Sequence, residues 1–215
     1  MTRMRIMGLS LVAVFAVAAV FAGSASAKAG LVLKTAAGPL APGAEVKAFS
    51  SDLTFTTEAG ALECTKNTLS GTLANNNASK DKGSITSESS TGEGTGFGSA
   101  CKTSTPFGPA GIESVHLAWP IEFSTKGVAT VKKGAGGKIA FISTFVAAPG
   151  EPKCQYETAK VLSSFNATLG SGPITLTTTE QLFKKNKKAS NEACPATGKL
   201  NGTFTMTSGG EPVED

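Results

Sequence analysis

The sequence predicts an all-β protein, an antiparallel sandwich or barrel, on three observations. Apolar residues alternate with polar ones in several short stretches rich in threonine, which is typical of half-buried strands. Turns rich in glycine, serine and threonine separate these stretches at short intervals, as they do in sandwiches and barrels. After residue 27, no stretch keeps the spacing of three and four residues that an amphipathic helix requires. We therefore expect little helix.

The predicted strands differ in how completely their side chains are buried. Leucine, phenylalanine and methionine alternate with threonine over residues 200–207, and shorter alternations cover 53–55 and 174–177, so each of these strands has one buried face. Residues 138–146 are apolar on both parities, which predicts a strand that is covered on both faces and central to the fold. The preceding residues 128–133 and the glycine-rich turn at 134–137 predict a hairpin with it.

The two ends of the chain predict export and a soluble product. Arg3 and Arg5 precede an apolar run, and Ala25-Ser26-Ala27 follows it, which is the pattern of a cleavable secretory signal over residues 1–27. The run is shorter than the ~20 residues that cross a bilayer as a helix, so no transmembrane anchor is expected in the mature form. We expect a single β domain over residues 28–208 and a flexible acidic tail over 209–215. The predicted localisation is secreted, either extracellular or associated with the cell surface.

The charge of the chain argues against nucleic acid as a partner. Loss of Arg3 and Arg5 with the signal lowers the formal net charge from +4 to +2 and leaves lysine as the only strongly basic residue type. Lysine lacks the forked guanidinium group that recognises phosphates and base edges through two hydrogen bonds. A charge near zero also gives little long-range attraction to a polyanion.

Four cysteines, an even number in a chain predicted to be exported, favour two disulfides over free thiols. Three connectivities are open, and we favour Cys64–Cys101 with Cys154–Cys194, because each half of the chain then holds one link of similar span. Zinc is not expected, since no two cysteines have the close spacing of ligand pairs and the chain has one histidine.

A faint duplication accompanies the cysteines. Each half has a cysteine in a strand, then a polar stretch, a second cysteine and a short turn into another strand. This order favours two pseudo-repeated halves with one disulfide each, although chance similarity in a chain rich in serine and threonine is the alternative.

Several stretches of the mature region resemble a known group of proteins. They are Leu31-Val32-Leu33-Lys34-Thr35, Ala193-Cys194-Pro195, the run from Gly198 to Thr205 and the run from Ser208 to Val213. Together they resemble uncharacterised secreted proteins of soil actinobacteria, which have a signal peptide and a β domain with cysteines. The resemblance implies a bacterial exported protein. That group has no established activity, so no functional residue is carried over.

No catalytic residue, metal site or cofactor is predicted. His116 alternates with the apolar side chains of Val115, Leu117 and Trp119, so in a strand it would lie on the opposite, exposed face. The glycine-rich stretch at 92–98 is not followed by the helix that a phosphate-binding loop requires. Hydrolysis by a carboxylate pair needs only two acidic side chains brought together by the fold. Its candidates are Glu63, Glu113, Glu122, Glu157 and Glu180.

The leading hypothesis is a non-enzymatic exported protein that binds the cell envelope. Lys184, Lys185, Lys187 and Lys188 form the densest basic cluster and are the candidate contact with an anionic polymer; the alternative is a solvated edge that deters aggregation. A partner could also be another envelope protein, and the oligomeric state is left open. The two other hypotheses are a secreted hydrolase with a carboxylate pair and a carrier of a small ligand. The carrier requires that Phe55, Phe141, Phe145 and Phe204 do not fill the interior.

Overall fold

The structure, a computed structural model, describes residues 31–77, 80–92, 100–166 and 172–215. The predicted signal at 1–27 and residues 93–98 of the glycine-rich stretch lie outside the described residues. The described ranges contain strands and turns without a helix, which confirms the all-β prediction. The strands are β1 (Lys34–Thr35), β2 (Gly38–Pro39), β3 (Glu45–Ser50), β4 (Leu53–Thr57), β5 (Gly60–Cys64), β6 (Lys66–Asn75), β7 (Lys80–Thr91), β8 (Lys102–Thr103), β9 (Ala110–Val115), β10 (Trp119–Ser124), β11 (Val128–Lys132), β12 (Ile139–Phe145), β13 (Lys153–Thr158), β14 (Lys160–Phe165), β15 (Thr175–Lys185), β16 (Thr197–Ser208) and β17 (Glu211–Pro212).

Eight strands close an antiparallel barrel in the order β16-β3-β6-β7-β10-β11-β14-β15, with β15 pairing again to β16. Closure leaves no unpaired edge along the ring. The barrel strands contribute one core cluster, which includes Leu73, Phe123, Phe165 and Phe204. The predicted alternation over residues 200–207 is confirmed in β16, where Phe204 and Met206 are buried.

β1 and β2 form a separate two-stranded sheet, and six further strands extend the far ends of β15 and β16 into a second sheet. Its order is β9-β12-β13-β15-β16-β4-β5-β8, and an isolated bridge between Cys101 and Ala110 joins its two outer strands. A register shift between Thr178 and Gln181 divides β15 into a barrel part and a second-sheet part. A second core cluster fills this region, with the rings of Phe55 and Tyr156 4.8 Å apart.

The disulfides Cys64–Cys101 and Cys154–Cys194 confirm the favoured pairing. In both, the first cysteine lies in the second strand of a hairpin of the second sheet, namely β4-β5 and β12-β13. A barrel hairpin follows, β6-β7 or β14-β15, before the chain reaches the second cysteine. The two disulfides therefore tie the second sheet at equivalent points of the strand order, which is the arrangement that the duplication predicts.

The hairpin predicted between residues 128–133 and 138–146 is wrong. β11 pairs with β10 and β14, whereas β12 pairs with β9 and β13. The glycines between β11 and β12 allow their backbone to pass close to the backbone of the β9–β10 connection. A Cβ at Gly134 would overlap the carbonyl oxygen of Ala118, and one at Gly136 would lie 3.4 Å from the Cα of His116.

The prediction of a flexible acidic tail over 209–215 is also wrong. Gly209 and Gly210 both have positive φ angles and turn the chain back, so that β17 pairs with the end of β16. Val213 is fully buried and exchanges backbone hydrogen bonds with Met206 and Ile174. The strand could not be predicted from the sequence, because a single valine among charged residues and a proline does not form an alternating apolar pattern. Residues Leu31–Asp215 form one compact unit.

Candidate functional site

An apolar cavity of about 130 Å³ lies where the two core clusters meet. Phe55 and Phe141 line it from the second sheet, and Leu176 and Phe204 line it from the strands that both sheets share. Phe145 packs instead against Phe107, with ring centroids 5.2 Å apart. Three of the four phenylalanines named as candidate core therefore border the space, and none of the four fills it. An engineered apolar cavity of about 150 Å³ stays dry and binds benzene, so this space suits a single ring or a short branched chain.

Two groups of polar side chains interrupt the apolar wall. The first is internally satisfied, since the buried hydroxyl groups of Ser163 and Thr178 lie 2.6 Å apart and pair with each other. In the second, Glu88 accepts hydrogen bonds from the hydroxyl groups of Ser90 and Ser114, the latter at 2.8 Å. Among the wall residues that the structure describes, Glu88 is the only one with a carboxylate. The cavity therefore has an apolar body and one acidic end.

A β-bulge in β7 turns Glu88 and Ser90 toward the cavity. Ser87 pairs with Ser70 of β6, but Ile85 pairs with Gly71, so β7 carries one extra residue between the two pairs. An extra residue reverses which parity faces inward. Asp81 and Ile85 are buried before the bulge, whereas Ser90 is buried after it. A strict period of two would have placed Glu88 and Ser90 on the outside, so sequence reasoning missed both.

Trp119 lines the cavity and has a buried indole N–H without a partner among the described residues. Its side chain is only 6% exposed, and its Nε1–H has no acceptor among the described residues. A buried indole N–H usually finds a partner, and leaving one unpaired costs free energy. The chain contains one tryptophan, so tryptophan fluorescence reports on this single position of the wall. In the sequence, Trp119 is one of the apolar residues that alternate with His116, and this pattern gave no sign of the space beside it.

The cavity reaches a seam between β7 and β9. These strands lie against each other, but no backbone ladder joins them within the described residues. Ser114 of β9 and Glu88 of β7 bridge the seam through their side chains. Ile112, Ser114, Glu88 and Ser90 also line the cavity, so its acidic end and the seam coincide.

The four lysines of the predicted cluster differ in their contacts with the rest of the protein. Lys185 donates hydrogen bonds to the carbonyl oxygens of Cys194, at 2.6 Å, and Glu192, at 3.2 Å, and so helps to hold the loop of the second disulfide. Lys184, Lys187 and Lys188 are exposed. The sequence could not separate these roles, because hydrogen bonds from Lys185 to carbonyls seven and nine residues away leave no pattern in it.

The predicted acidic candidates do not pair with one another. Glu122 lies 2.9 Å from Lys80 and 2.7 Å from Lys132, and hydrogen bonds from these two lysines lower its pKa to about 2. Glu157 pairs with Lys138 at 2.6 Å, and Glu180 pairs with Lys199. Glu63 and Glu113 are exposed on β5 and β9. The five candidates are thus distributed over separate ion pairs and the surface.

His116 is exposed, but not because it lies on the outer face of a strand. β9 ends at Val115 and β10 begins at Trp119, so His116 does not lie in a strand. His116 has a φ of 64° in the connection, and its Nδ1 lies 3.2 Å from the carbonyl oxygen of Lys138. Within residues 31–77, 80–92, 100–166 and 172–215, no three His, Cys, Asp or Glu side chains are grouped so as to hold a metal ion.

Asp81 is a buried acidic group on β7, at the barrel. Its Oδ1 accepts a hydrogen bond from the backbone N–H of Asn77 at 2.7 Å, while Oδ2 has no partner among the described residues. Burial, with a further contribution from the charge of Asp215, raises the pKa of Asp81 to about 6. The carboxyl group of Asp81 therefore binds its proton more tightly in the folded state than in the unfolded state.

Replacing Asp81 by asparagine is expected to stabilise the protein above pH 6. The folded-state pKa is about 6 against a reference of 3.8, so the free energy of unfolding of the native protein should fall as the pH rises between these values. The asparagine variant has no such loss, so its free energy of unfolding at pH 8 should exceed that of the native protein by up to roughly 3 kcal/mol. Urea unfolding from pH 3.5 to 8 measures the difference. Glu122→Gln is the control of opposite sign, and a parallel pair of curves for native protein and Asp81→Asn would contradict the expectation.

Comparison with protein-family models, curated proteins and solved structures found no match to this chain. The fold defines it as a disulfide-bonded protein with a closed eight-stranded antiparallel barrel and an attached second sheet. In the part of the chain that the structure describes, no helix is long and apolar enough to cross a membrane.

Proposed function

We propose that this protein is an exported binding protein that takes a small apolar molecule, or the apolar end of a larger one, into the cavity between its two core clusters. The carrying observation is the unfilled apolar space of about 130 Å³, which the side chain of Trp119 helps to line. Cores normally pack to crystal-like density, so a space of this size is a departure that needs a reason. A bound molecule would restore dispersion contacts to the apolar wall.

The size of the space limits the ligand class. Sites for drug-sized ligands usually measure about 300–1,000 Å³. This cavity is smaller, so one aromatic ring or a chain of a few carbons fits, and a polycyclic body does not. Any further part of the ligand must lie outside, and the seam between β7 and β9 is where it can do so.

Export is supported by the disulfides, which persist in oxidising compartments, together with the predicted signal at 1–27 and the resemblance to secreted actinobacterial proteins. Association with the cell envelope stays a prediction for the exposed Lys184, Lys187 and Lys188. A ligand carrier now has the stronger support of the two roles, because the cavity is a defined site.

Filling the cavity is expected to abolish binding without unfolding the protein. Val161 of β14 faces the cavity, and the next residue, Leu162, is 43% exposed on the opposite face. Val161→Phe should occupy the space, whereas Leu162→Phe should leave it open. Toluene is titrated into each protein while Trp119 fluorescence and the thermal midpoint are followed. Ligand at about 100 times its Kd should add about 2.7 kcal/mol of stability to the native protein and to Leu162→Phe.

Two results would overturn the proposal. One is a native protein whose fluorescence and midpoint do not respond to toluene, benzene or xenon. The other is a Val161→Phe protein, folded by circular dichroism, that binds toluene as tightly as Leu162→Phe does.

A further inference from the structure

We infer that the acidic end of the cavity recognises the ammonium group of a small amphipathic amine, which enters through the seam between β7 and β9. This inference rests on the proposed ligand-binding function and assigns its chemical class. Glu88 is the recognition residue, and the hydroxyl groups of Ser90 and Ser114 hold its carboxylate in place.

Glu88 lacks the cationic partner that other acidic side chains have. Glu122, Glu157 and Glu180 each pair with a lysine, but no ion pair to Glu88 is formed among the described residues. Each of its oxygens accepts one hydroxyl group, and a carboxylate oxygen has lone pairs for a second donor. The half-buried carboxylate of Glu88, at the end of an apolar wall, can therefore accept a further hydrogen bond from a positively charged donor.

The wall next to Glu88 selects the rest of the ligand. Apolar side chains make up most of the lining beyond the three polar groups at the seam, and the volume accommodates one ring. A molecule with an apolar ring and a terminal ammonium group would place each part against a matching surface. A ligand with a carboxylate would bring two like charges together at Glu88, and this repulsion disfavours fatty and aromatic acids.

The seam provides the entrance. Elsewhere in the barrel, opening a gap between neighbouring strands breaks a ladder of backbone hydrogen bonds. Between β7 and β9, the described contact is the side-chain hydrogen bond from Ser114 to Glu88. An ammonium group that approaches Glu88 can replace the Ser114 hydroxyl as the donor. The same carboxylate oxygen would then bind the ammonium group and release the contact that closes the seam.

The experiment compares four ligands of similar size: benzylamine, benzyl alcohol, toluene and benzoate, titrated at pH 7.5 against Trp119 fluorescence. Hydrogen bonds to charged groups are among the strongest, so benzylamine should bind about tenfold or more tighter than toluene, and benzoate should bind weakest. Glu88→Gln should abolish the advantage of benzylamine over toluene. Glu113→Gln is the matched control, because Glu113 is exposed on β9, one residue before Ser114.

A second variant guards against loss of folding in Glu88→Gln. Ser114→Ala removes the donor across the seam and leaves the carboxylate, so it should keep the preference for benzylamine and speed its association in stopped-flow fluorescence. If toluene binds but benzylamine binds no tighter, or if folded Glu88→Gln keeps the preference, this inference is overturned and the proposed function stands. If none of the four ligands binds the native protein, the proposed function fails with it.

Discussion

Replacing Cys64 and Cys101 together by alanine is expected to lower the free energy of unfolding by about 4 kcal/mol. The disulfide closes a loop with a sequence separation of 37, and the chain-entropy model gives that loss for a loop of this length. Domains are usually stable by about 5–15 kcal/mol, so the variant should lose a large part of its stability. Urea unfolding monitored by Trp119 fluorescence measures the change.

The same variant is expected to open the second sheet locally. β8 pairs with β5 through only two residue pairs, and the bridge from Cys101 to Ala110 is what joins the outer strands. Amide hydrogen exchange at residues 101 and 110 should therefore accelerate. The double alanine variant of Cys154 and Cys194 is the matched control, with a sequence separation of 40.

The control should lose similar stability but keep its loop docked. Asn186 and Asn191 donate backbone hydrogen bonds to the carbonyl oxygens of Gln155 and Lys153, both at 2.9 Å, and these do not depend on the sulfur atoms. Equal protection at residues 101 and 110 in both variants would contradict the special role of the first disulfide.

The part of the fold that follows local periodicity was predictable. The alternation over residues 200–207 corresponds to β16, and the disulfides have the pairing that was favoured because it gives each half of the chain one link of similar span. The assignment of strands to two sheets was not predictable, because β15 and β16 change partners along their length. A period of two says which residues face inward, but it does not say which neighbour a strand has.

The candidate site escaped prediction for a related reason. Glu88 faces the cavity only because β7 carries an extra residue opposite β6, and no residue type marks that position. The cavity itself is a missing volume between Phe55, Phe141 and Phe204, whose sequence pattern is that of a filled core. Space is a property of three-dimensional packing, so it has no signature along the chain.

Replacing Gly198 by alanine is expected to cost about 1–3 kcal/mol, the range for overpacked cores. The ring of Phe55 lies over Gly198 across the β4–β16 pair, and an added Cβ would come within 2.9 Å of its Cε2 and closer still to Cζ and Cε1. The rings of Phe141 and Tyr156, with centroids 4.9 and 4.8 Å from that of Phe55, oppose its movement on two sides, so relief of the clash requires a shift toward the cavity that Phe55 lines.

The loss should depend on Phe55, which a double-mutant cycle tests. Phe55→Leu removes the obstructing ring, so Gly198→Ala should cost much less in the Phe55→Leu background, with a coupling of about 1–3 kcal/mol. Gly111→Ala is the control, because a Cβ on that glycine of β9 meets nothing within 4 Å. Urea unfolding of the four proteins of the cycle gives the coupling. Strictly additive losses would mean that the glycine does not accommodate the ring, and that backbone entropy alone accounts for the effect of the substitution.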